Sequence, residues 1–193
     1  ASFVRFFKNR TTVTISFLII TVLLILYFVK IQNEVPLQTT ISAESITQFP
    51  GRELFPSLSP NGKYLAFSWR KMDSKPELYL KDLEQPDLPI KRLTFSKHSE
   101  ERSVWAPNGN KLFYSRRNKE DGCQIVAKSL QDSNVEILAK CHKSKRTAID
   151  VSNDGKYLAY SGVDKKHSKS GIYLKELKTN STQRITCLID CNY

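Results

Sequence analysis

The N-terminal part of the chain contains one long run of apolar residues without a charge. The run covers residues 11–29 (TTVTISFLIITVLLILYFV). A helix of that length is about 28 Å long, close to the roughly 30 Å of a bilayer core. A buried core helix is an alternative, as is a cleavable signal peptide, although signal peptides usually have a shorter apolar region and a small-residue cleavage site. The pattern predicts an uncleaved transmembrane helix.

The charges on the two sides of this run differ, and the difference predicts the topology. Arg5, Lys8 and Arg10 lie before the run, whereas only Lys30 follows it closely. Under the positive-inside rule, residues 1–10 form a cytoplasmic flank and the rest of the chain lies across the membrane. We therefore expect a single-pass protein of a bacterial inner membrane, with its N-terminus in the cytoplasm and its C-terminal domain in the periplasm.

The segment after the apolar run has neither a helical nor a strand period. Residues 30–44 (KIQNEVPLQTTISAE) are mostly polar and contain Pro36. Fully extended, such a segment reaches about 50 Å, which is enough to clear the lipid headgroups. We predict a linker between the membrane helix and a C-terminal domain.

From residue 45 onward the chain repeats at a nearly constant interval. Each repeat has two short apolar runs around Asn-Gly or Asp-Gly: residues 56–68 (PSLSPNGKYLAFS), 103–115 (SVWAPNGNKLFYS) and 149–161 (IDVSNDGKYLAYS). The glycines of these turns, Gly62, Gly109 and Gly155, are 47 and 46 residues apart. Asn-Gly and Asp-Gly favour hairpin turns because such turns need a positive φ. Each repeat is therefore predicted to begin with a β-hairpin.

Each repeat continues in step with a third and a fourth short strand pattern. Four short antiparallel strands recurring every 46–47 residues are typical of β-propeller blades. An open stack of hairpins or a sandwich would not need so constant a period. We predict an all-β propeller over residues 45–193, with three four-stranded blades at about 52–94, 100–140 and 147–186.

Three blades are too few to close a ring, since propellers typically have four to eight. Residues 45–49 (SITQF) align with the fourth strand of a blade, and no first three strands precede them. We predict that they form the outer strand of the closing blade, whose other strands lie beyond this chain. The chain begins with Ala1 and has Met72 as its only methionine, which favours a piece of a longer protein with an incomplete ring.

All four cysteines follow the predicted membrane span, on the side where disulfides persist. Cys123 opens the third strand of blade two and Cys141 follows its fourth strand, with the hairpin turn midway between them. Opposed residues of a non-hydrogen-bonded antiparallel pair lie about 4.5 Å apart, within disulfide range. We expect a Cys123–Cys141 disulfide, with two buried thiols or a zinc site as alternatives. Cys187 and Cys191 are expected to pair with each other or with sequence outside this chain.

The formal net charge of +11, from 30 Lys and Arg against 19 Asp and Glu, raises nucleic acid and anionic lipid as partners. Part of this charge is the cytoplasmic flank. In the exported part, Lys alternates with Asp and Glu rather than forming a block, which is typical of a solvated surface. Direct binding of nucleic acid by that part is disfavoured further because it lies across the membrane.

No catalytic, metal or cofactor motif is present in the sequence. The histidines are widely spaced and form no HExxH or Cys/His cluster: His98, His142 and His167. No G-x-S-x-G elbow, Walker loop or dinucleotide glycine pattern occurs. Three carboxylates are expected at turns or strand edges: Asp150, Asp154 and Asp164. Trp69 and Trp105 are expected to pack between blades, with ligand stacking as the alternative. We predict no catalytic residue, no metal ligand and no cofactor.

Residues 55–68 (FPSLSPNGKYLAFS), followed by 78–83 (LYLKDL) and 92–94 (RLT), resemble the blade signature of TolB-like propellers. The resemblance covers about residues 45–190 and implies the TolB-like propeller fold. It implies no single function, because TolB, peptidase propellers and sensor domains share this signature. Blade three departs from the signature at Asn153, where a proline is expected, and the loss of that proline is expected to loosen the turn.

The architecture of the chain is similar to that of the CadC/ToxR-like membrane-integrated transcriptional regulators of Gram-negative bacteria. The similarity lies in the combination of a basic flank, one helix, a short linker and a propeller with two cysteines in one hairpin. In that family a cytoplasmic winged-helix domain binds promoter DNA and a periplasmic domain senses conditions. The resemblance implies the membrane and sensor portion of a one-component regulator that contacts DNA only through a domain upstream of Ala1. A periplasmic ligand or protein partner would change the dimerisation or tilt of the helix.

Two other functions fit the same residues. One is a membrane-anchored periplasmic TolB-like interaction module without a DNA-binding part. The other is the propeller of a type II membrane peptidase, which requires a downstream α/β-hydrolase domain with a G-x-S-x-G motif. Flanking sequence separates the three, since the regulator alone requires a winged helix upstream of Ala1 and the peptidase alone requires a hydrolase after Tyr193.

Overall fold

The chain folds into two compact units, Ala1–Ile46 and Thr47–Tyr193. The structure is a computed structural model, and it describes residues 2–33, 43–142, 147–163 and 170–186. Cys187, Cys191, Asp164 and His167 lie outside the described residues, and so do most of the predicted linker and the end of the chain.

The first unit contains one long helix, α1, which covers Ser2–Asn33. It extends beyond the predicted span of residues 11–29 in both directions. No glycine or proline occurs between its ends, and the first proline after it is Pro36, so nothing in the sequence breaks the helix earlier. The window Val13–Lys30 has a mean hydropathy of 2.4 and no buried side chains. That window is long and apolar enough to cross a membrane, as a signal sequence also is.

In the described residues, the second unit contains three antiparallel sheets of four strands each. Blade one consists of β1 Arg52–Leu58, β2 Tyr64–Arg70, β3 Glu77–Asp82 and β4 Lys91–Arg92. Blade two consists of β5 Ser99–Trp105, β6 Lys111–Asn118, β7 Gly122–Ser129 and β8 Val135–Cys141. Blade three consists of β9 Ile149–Val151, β10 Tyr157–Val163, β11 Ser170–Glu176 and β12 Thr182–Arg184. Strands pair in chain order within each sheet, which confirms the predicted all-β propeller fold.

Buried side chains form three clusters. The first lies between blades one and two and contains Ala66, Leu78, Leu93, Trp105, Leu112, Tyr114 and Val126. The second lies between blades two and three and contains Ala106, Phe113, Cys123, Ile125, Ala127, Cys141, Leu158, Tyr160 and Tyr173. The third lies on the other face of blade one and contains Leu65, Phe67 and Tyr79, with Phe49, Trp69, Leu83 and Ile90 packed against it.

The alternation along the second strands explains these clusters. In β6, Leu112 and Tyr114 pack towards blade one, whereas Phe113 between them packs towards blade three. Successive side chains of a strand point to opposite faces, so one strand contributes to both seams. The period-two apolar pattern in the sequence is thus the pattern of blade-to-blade packing.

The turn between the first two strands is the same in all three blades. In blade one, the Gly62 N–H donates to the Ser59 carbonyl (2.9 Å) and the Ser59 N–H donates to the Tyr64 carbonyl (2.8 Å). Gly62, Gly109 and Gly155 all have a left-handed φ, of 72°, 72° and 69°. Their predicted turn role is therefore consistent with the structure, since only glycine adopts that backbone at little cost.

Blade three keeps this turn although Asn153 replaces the proline. The Gly155 N–H donates to the Ser152 carbonyl over 2.8 Å. The Ser152 hydroxyl donates to Asp154 Oδ1 (2.6 Å) and accepts from the Tyr157 N–H (3.0 Å). The turn of blade three therefore keeps the same side-chain hydrogen bonds as the turn of blade one without a proline ring, and its expected loosening stays a prediction.

The Ser152 hydroxyl and the Lys156 N–H lower the pKa of Asp154 to about 2. A depressed carboxyl pKa stabilises the fold above the unfolded value of about 3.9, and this contribution is lost as pH falls through about 2. We expect Ser152→Ala to raise the pKa of Asp154 towards 3.8 because it removes the largest cause of the shift. Carboxyl-carbon NMR titration of the full chain measures this. The matched Ser59→Ala variant should leave the pKa of Asp154 unchanged, and a wild-type value near 3.8 would contradict the turn geometry.

Residues 45–49 are not a strand in the structure, and their pairing with strands beyond this chain stays a prediction. In the described part of the chain no strand pairs with them, and an extended segment needs a neighbour to satisfy its backbone groups. Instead, the Phe49 ring lies 6.5 Å from the Phe67 ring and 5.0 Å from the Trp69 ring. The Phe49 N–H donates to Glu53 Oε1 over 2.8 Å. The segment thus covers part of the outer face of blade one.

Candidate functional site

The first strands of the blades lie side by side. β1, β5 and β9 are each at an edge of their sheet, and β1 contacts β5 while β5 contacts β9. The fourth strands are at the opposite edges. The first strands therefore form the inner edges of the three blades, on the side of the propeller axis, where propellers have a central channel.

The first strands of blades one and two each contain a β-bulge. In β1, Leu54 is opposite Ser68 and Ser57 is opposite Ala66, so two residues, Phe55 and Pro56, face one residue of β2. In β5 the pairing shifts in the same way between Glu101 and Val104. Bulges change the direction of a side chain and occur often next to functional sites.

Each bulge contains a side chain on left-handed backbone. Phe55 has a φ of 55° and Arg102 has a φ of 57°. The two residues are 47 positions apart, as are Gly62 and Gly109, so they are equivalent in the repeat. A non-glycine residue in this region costs on the order of 1–3 kcal/mol and persists only where its surroundings hold it there.

The two bulged side chains contact each other between the blades. The guanidinium carbon of Arg102 lies 4.2 Å from the centre of the Phe55 ring, which is a cation–π contact. Both residues are half-buried. Arg102 Nε is buried without a hydrogen bond, and the described residues supply no carboxylate within ion-pair distance of Arg102. The site is therefore a positive group held on an aromatic face.

A second polar cluster lies at the start of β5. His98 Nε2 is 2.8 Å from Asp121 Oδ2, and His98 Nδ1 is 3.2 Å from the Ser96 hydroxyl. The Ser96 hydroxyl donates to Glu100 Oε1 (2.8 Å) and accepts from the His98 N–H (3.1 Å). The proton of Ser96 is therefore directed to Glu100 and not to the imidazole, so this geometry does not activate a serine nucleophile.

The charges of this cluster connect the segment before β5 with the turn between β6 and β7. Hydrogen bonds from Asn118 and then from His98 lower the pKa of Asp121. Burial, followed by the charge of Glu100, raises the pKa of Tyr114 well above its usual value. Lys97 also forms an ion pair with Glu120 of the turn. The cluster thus joins two loops of blade two.

The structure places the predicted residues at several separate locations. Cys123 and Cys141 are directly opposed on β7 and β8, with Cα atoms 4.9 Å apart, and form a disulfide. Trp105 packs between blades one and two as predicted. Trp69 packs on the face of blade one that is turned away from blade two, the face that a preceding blade would cover, so its position between blades stays a prediction.

The remaining candidates form no joint site. Asp150 lies in β9 opposite Ala159, and Asp154 lies in the turn that follows. Within residues 2–33, 43–142, 147–163 and 170–186, no group of three or more His, Cys, Asp or Glu side chains is placed to hold a metal ion. Sequence reasoning missed Phe55 and Arg102, although their equivalent positions in the repeat could have paired them.

The fold and the repeated turns define this chain as a β-propeller protein. It belongs to the family of the prolyl oligopeptidase N-terminal β-propeller domain, whose sequence model matches residues 52–191. No curated protein sequence matches the chain.

Several solved structures share the fold. TolB from Acinetobacter baumannii is 26% identical with a TM-score of 0.62, and the match covers 76% of this chain and 35% of TolB. A puromycin-hydrolyzing peptidase from Mycobacterium tuberculosis is 13% identical with a TM-score of 0.58, covering 75% of this chain and 23% of the peptidase. The β-propeller domain of the trilobed protease from Pyrococcus furiosus is 16% identical with a TM-score of 0.51, covering 70% and 42%. The chain thus spans less than half the length of each of these relatives.

Proposed function

We propose that this chain is a membrane-anchored β-propeller module that binds a protein partner on the periplasmic face of a bacterial inner membrane. One observation carries the proposal: a single chain contains an apolar helix with a membrane-length window, Val13–Lys30, and a propeller domain over residues 52–191. The likeness to TolB supports a propeller module and no particular chemistry.

The disulfide supports a periplasmic position of the propeller. The bond joins Cys123 and Cys141, which are 2% and 6% exposed. Structural disulfides persist in the periplasm and are rare in the cytosol. The basic residues before the apolar window favour the same topology by the positive-inside rule.

Topology is tested first, in native membranes. We expect the chain to resist extraction by carbonate. We also expect an added protease to digest the propeller in intact spheroplasts, without lysis of their inner membrane. The helix holds the chain in the bilayer and places the propeller outside. Extraction by carbonate, or digestion only after lysis, would overturn the anchored topology.

Partner binding is tested by photo-crosslinking in the same cells. A benzophenone amino acid at Pro56, which is exposed in the bulge of β1, should give a protein adduct. The same amino acid at Glu136, exposed on the outer strand β8, is the matched control. Equal labelling at both positions, or none at either, would contradict binding through the axis of the propeller.

A narrower form of the proposal is the sensor portion of a one-component transcriptional regulator, in which the partner alters helix pairing in a homodimer. Only the architecture of flank, helix and propeller favours it. Deleting residues 45–193 from the full-length protein should then change the response of its target genes. An unchanged response would exclude this regulatory role but leave the anchored module intact.

The family of the propeller favours one second candidate, a membrane peptidase, because prolyl oligopeptidases give the family its name. In that case the native protein would carry a serine hydrolase domain outside this sequence. The native protein isolated from membranes should then react with a fluorophosphonate probe. Absence of labelling would remove the peptidase candidate.

A further inference from the structure

We propose that Arg102, stacked on the Phe55 ring between the bulges of β1 and β5, is a receptor for a carboxylate group of the bound partner. The inference rests on the proposed function, since it names the group through which a protein partner is held. The group is either the carboxylate at the end of a peptide chain or that of an Asp or Glu side chain.

The backbone of the site is the first argument. Two equivalent positions of consecutive blades have left-handed backbone, yet carry a phenylalanine and an arginine instead of glycine. Glycine would adopt the same φ at little cost. Phe55 and Arg102 therefore occupy positions where the backbone conformation favours glycine. Non-glycine residues with such strained backbone cluster at ligand sites.

The unused hydrogen-bond donors of Arg102 are the second argument. The Phe55 ring covers one face of its guanidinium at 4.2 Å. Its Nε is buried without a partner, whereas Nη1 and Nη2 are not buried and, within the described part of the chain, form no hydrogen bond or ion pair. Two terminal N–H groups in one plane match the two oxygens of a carboxylate.

The surrounding charge is the third argument. The described charged residues on the bulged strands other than Arg102 are Arg52, Glu53, Glu100 and Glu101. Glu53 accepts from the Phe49 N–H and Glu100 accepts from Ser96. None of these glutamates forms an ion pair with Arg102, so its positive charge is not paired with a neighbouring carboxylate. An arginine in a partly desolvated position binds a carboxylate more strongly than one in open water.

The test uses the full chain in detergent micelles and small carboxylates observed by saturation-transfer NMR. N-acetylglycine presents a chain-terminal carboxylate, the α-amide of N-acetylglutamate presents a side-chain carboxylate, and the α-amide of N-acetylglutamine presents neither. We expect one of the two carboxylates to bind and the amide not to bind, and the stronger carboxylate identifies the source. Equal binding of the neutral amide, or stronger binding of inorganic phosphate, would overturn the assignment.

Variants assign the binding to this pair. Arg102→Lys keeps the charge but loses the planar fork, so binding should weaken at least fivefold. Phe55→Leu should weaken it as well, because the guanidinium loses its aromatic support. Arg70→Lys, the same change at an exposed position of β2, is the matched control and should leave binding unchanged. Equal affinity of Arg102→Lys and wild type would refute the proposal.

The glycine variant separates binding from folding. Arg102→Gly should abolish carboxylate binding while the urea midpoint of unfolding stays equal or rises, since glycine relieves the left-handed backbone. A lowered midpoint would show that Arg102 serves the fold instead of a ligand. If the Pro56 crosslink forms but carboxylates do not bind, this inference fails alone; if the chain is not anchored, the proposed function fails whatever the NMR result.

Discussion

Replacing Trp105 with alanine should lower the free energy of unfolding by about 3–5 kcal/mol, the usual cost of removing a large buried aromatic ring. Trp105 is 6% exposed and packs between blades one and two. Its indole N–H also donates to the Ser57 carbonyl of the neighbouring blade over 2.9 Å. The loss therefore opens a cavity in the seam and breaks a bond across it. Urea unfolding of the full chain in micelles, followed by pulse proteolysis, measures the change.

Two matched variants separate the ring from its hydrogen bond. Trp105→Phe keeps most of the apolar contact but leaves the Ser57 carbonyl without its donor, so about 1–3 kcal/mol should be lost. Trp69→Ala removes a half-buried ring from the outer face of blade one and should cost less than Trp105→Ala. If the two alanine variants had equal free energies of unfolding, packing between blades one and two would not be the main source of stability of the domain.

Removing the disulfide is the second change with a large expected effect. The double variant Cys123→Ala/Cys141→Ala should lower the free energy of unfolding by about 3 kcal/mol, because the bond closes a loop with a separation of 18 residues. The bond holds the outer strand β8 on β7 where the register places the two residues opposite each other. Unfolding in urea with and without dithiothreitol measures this contribution.

The reductant provides the control within the same experiment. Dithiothreitol should destabilise the wild-type chain by a similar amount, and should destabilise the double variant, which keeps Cys187 and Cys191, much less. A wild-type chain that did not respond to the reductant, with alkylation located at Cys123 and Cys141, would mean that the two cysteines are not joined.

The sequence was sufficient for the parts of the fold that recur. The spacing of Gly62 and Gly109 predicted the blades, because a left-handed turn residue is rare and its repetition is visible. The same counting placed Cys123 opposite Cys141, since antiparallel pairing is symmetric about the hairpin turn. The long apolar run predicted α1. It did not predict the ends of α1, because the polar residues on both sides of the run are helical as well.

The candidate site could not be predicted in the same way. Phe55 and Arg102 are ordinary residues in a strand pattern, and their left-handed backbone depends on how β1 and β5 pair with their neighbours. The position of Phe49 also depends on tertiary packing, because its ring packs on Trp69 of blade one. Features that arise from contacts between blades leave little trace in local sequence.

The hydrogen bonds between residues 47–50 and blade one determine which contacts would first resist a force on the chain ahead of the propeller. Thr47 and Phe49 bond to Glu53, and the Trp69 indole N–H donates to the Pro50 carbonyl over 3.0 Å. A pull on the chain ahead of Thr47 would strain these short-range contacts before it reached the ladder between β1 and β2. We therefore expect these hydrogen bonds to take up such tension beside the first strand, next to the bulge that contains Phe55.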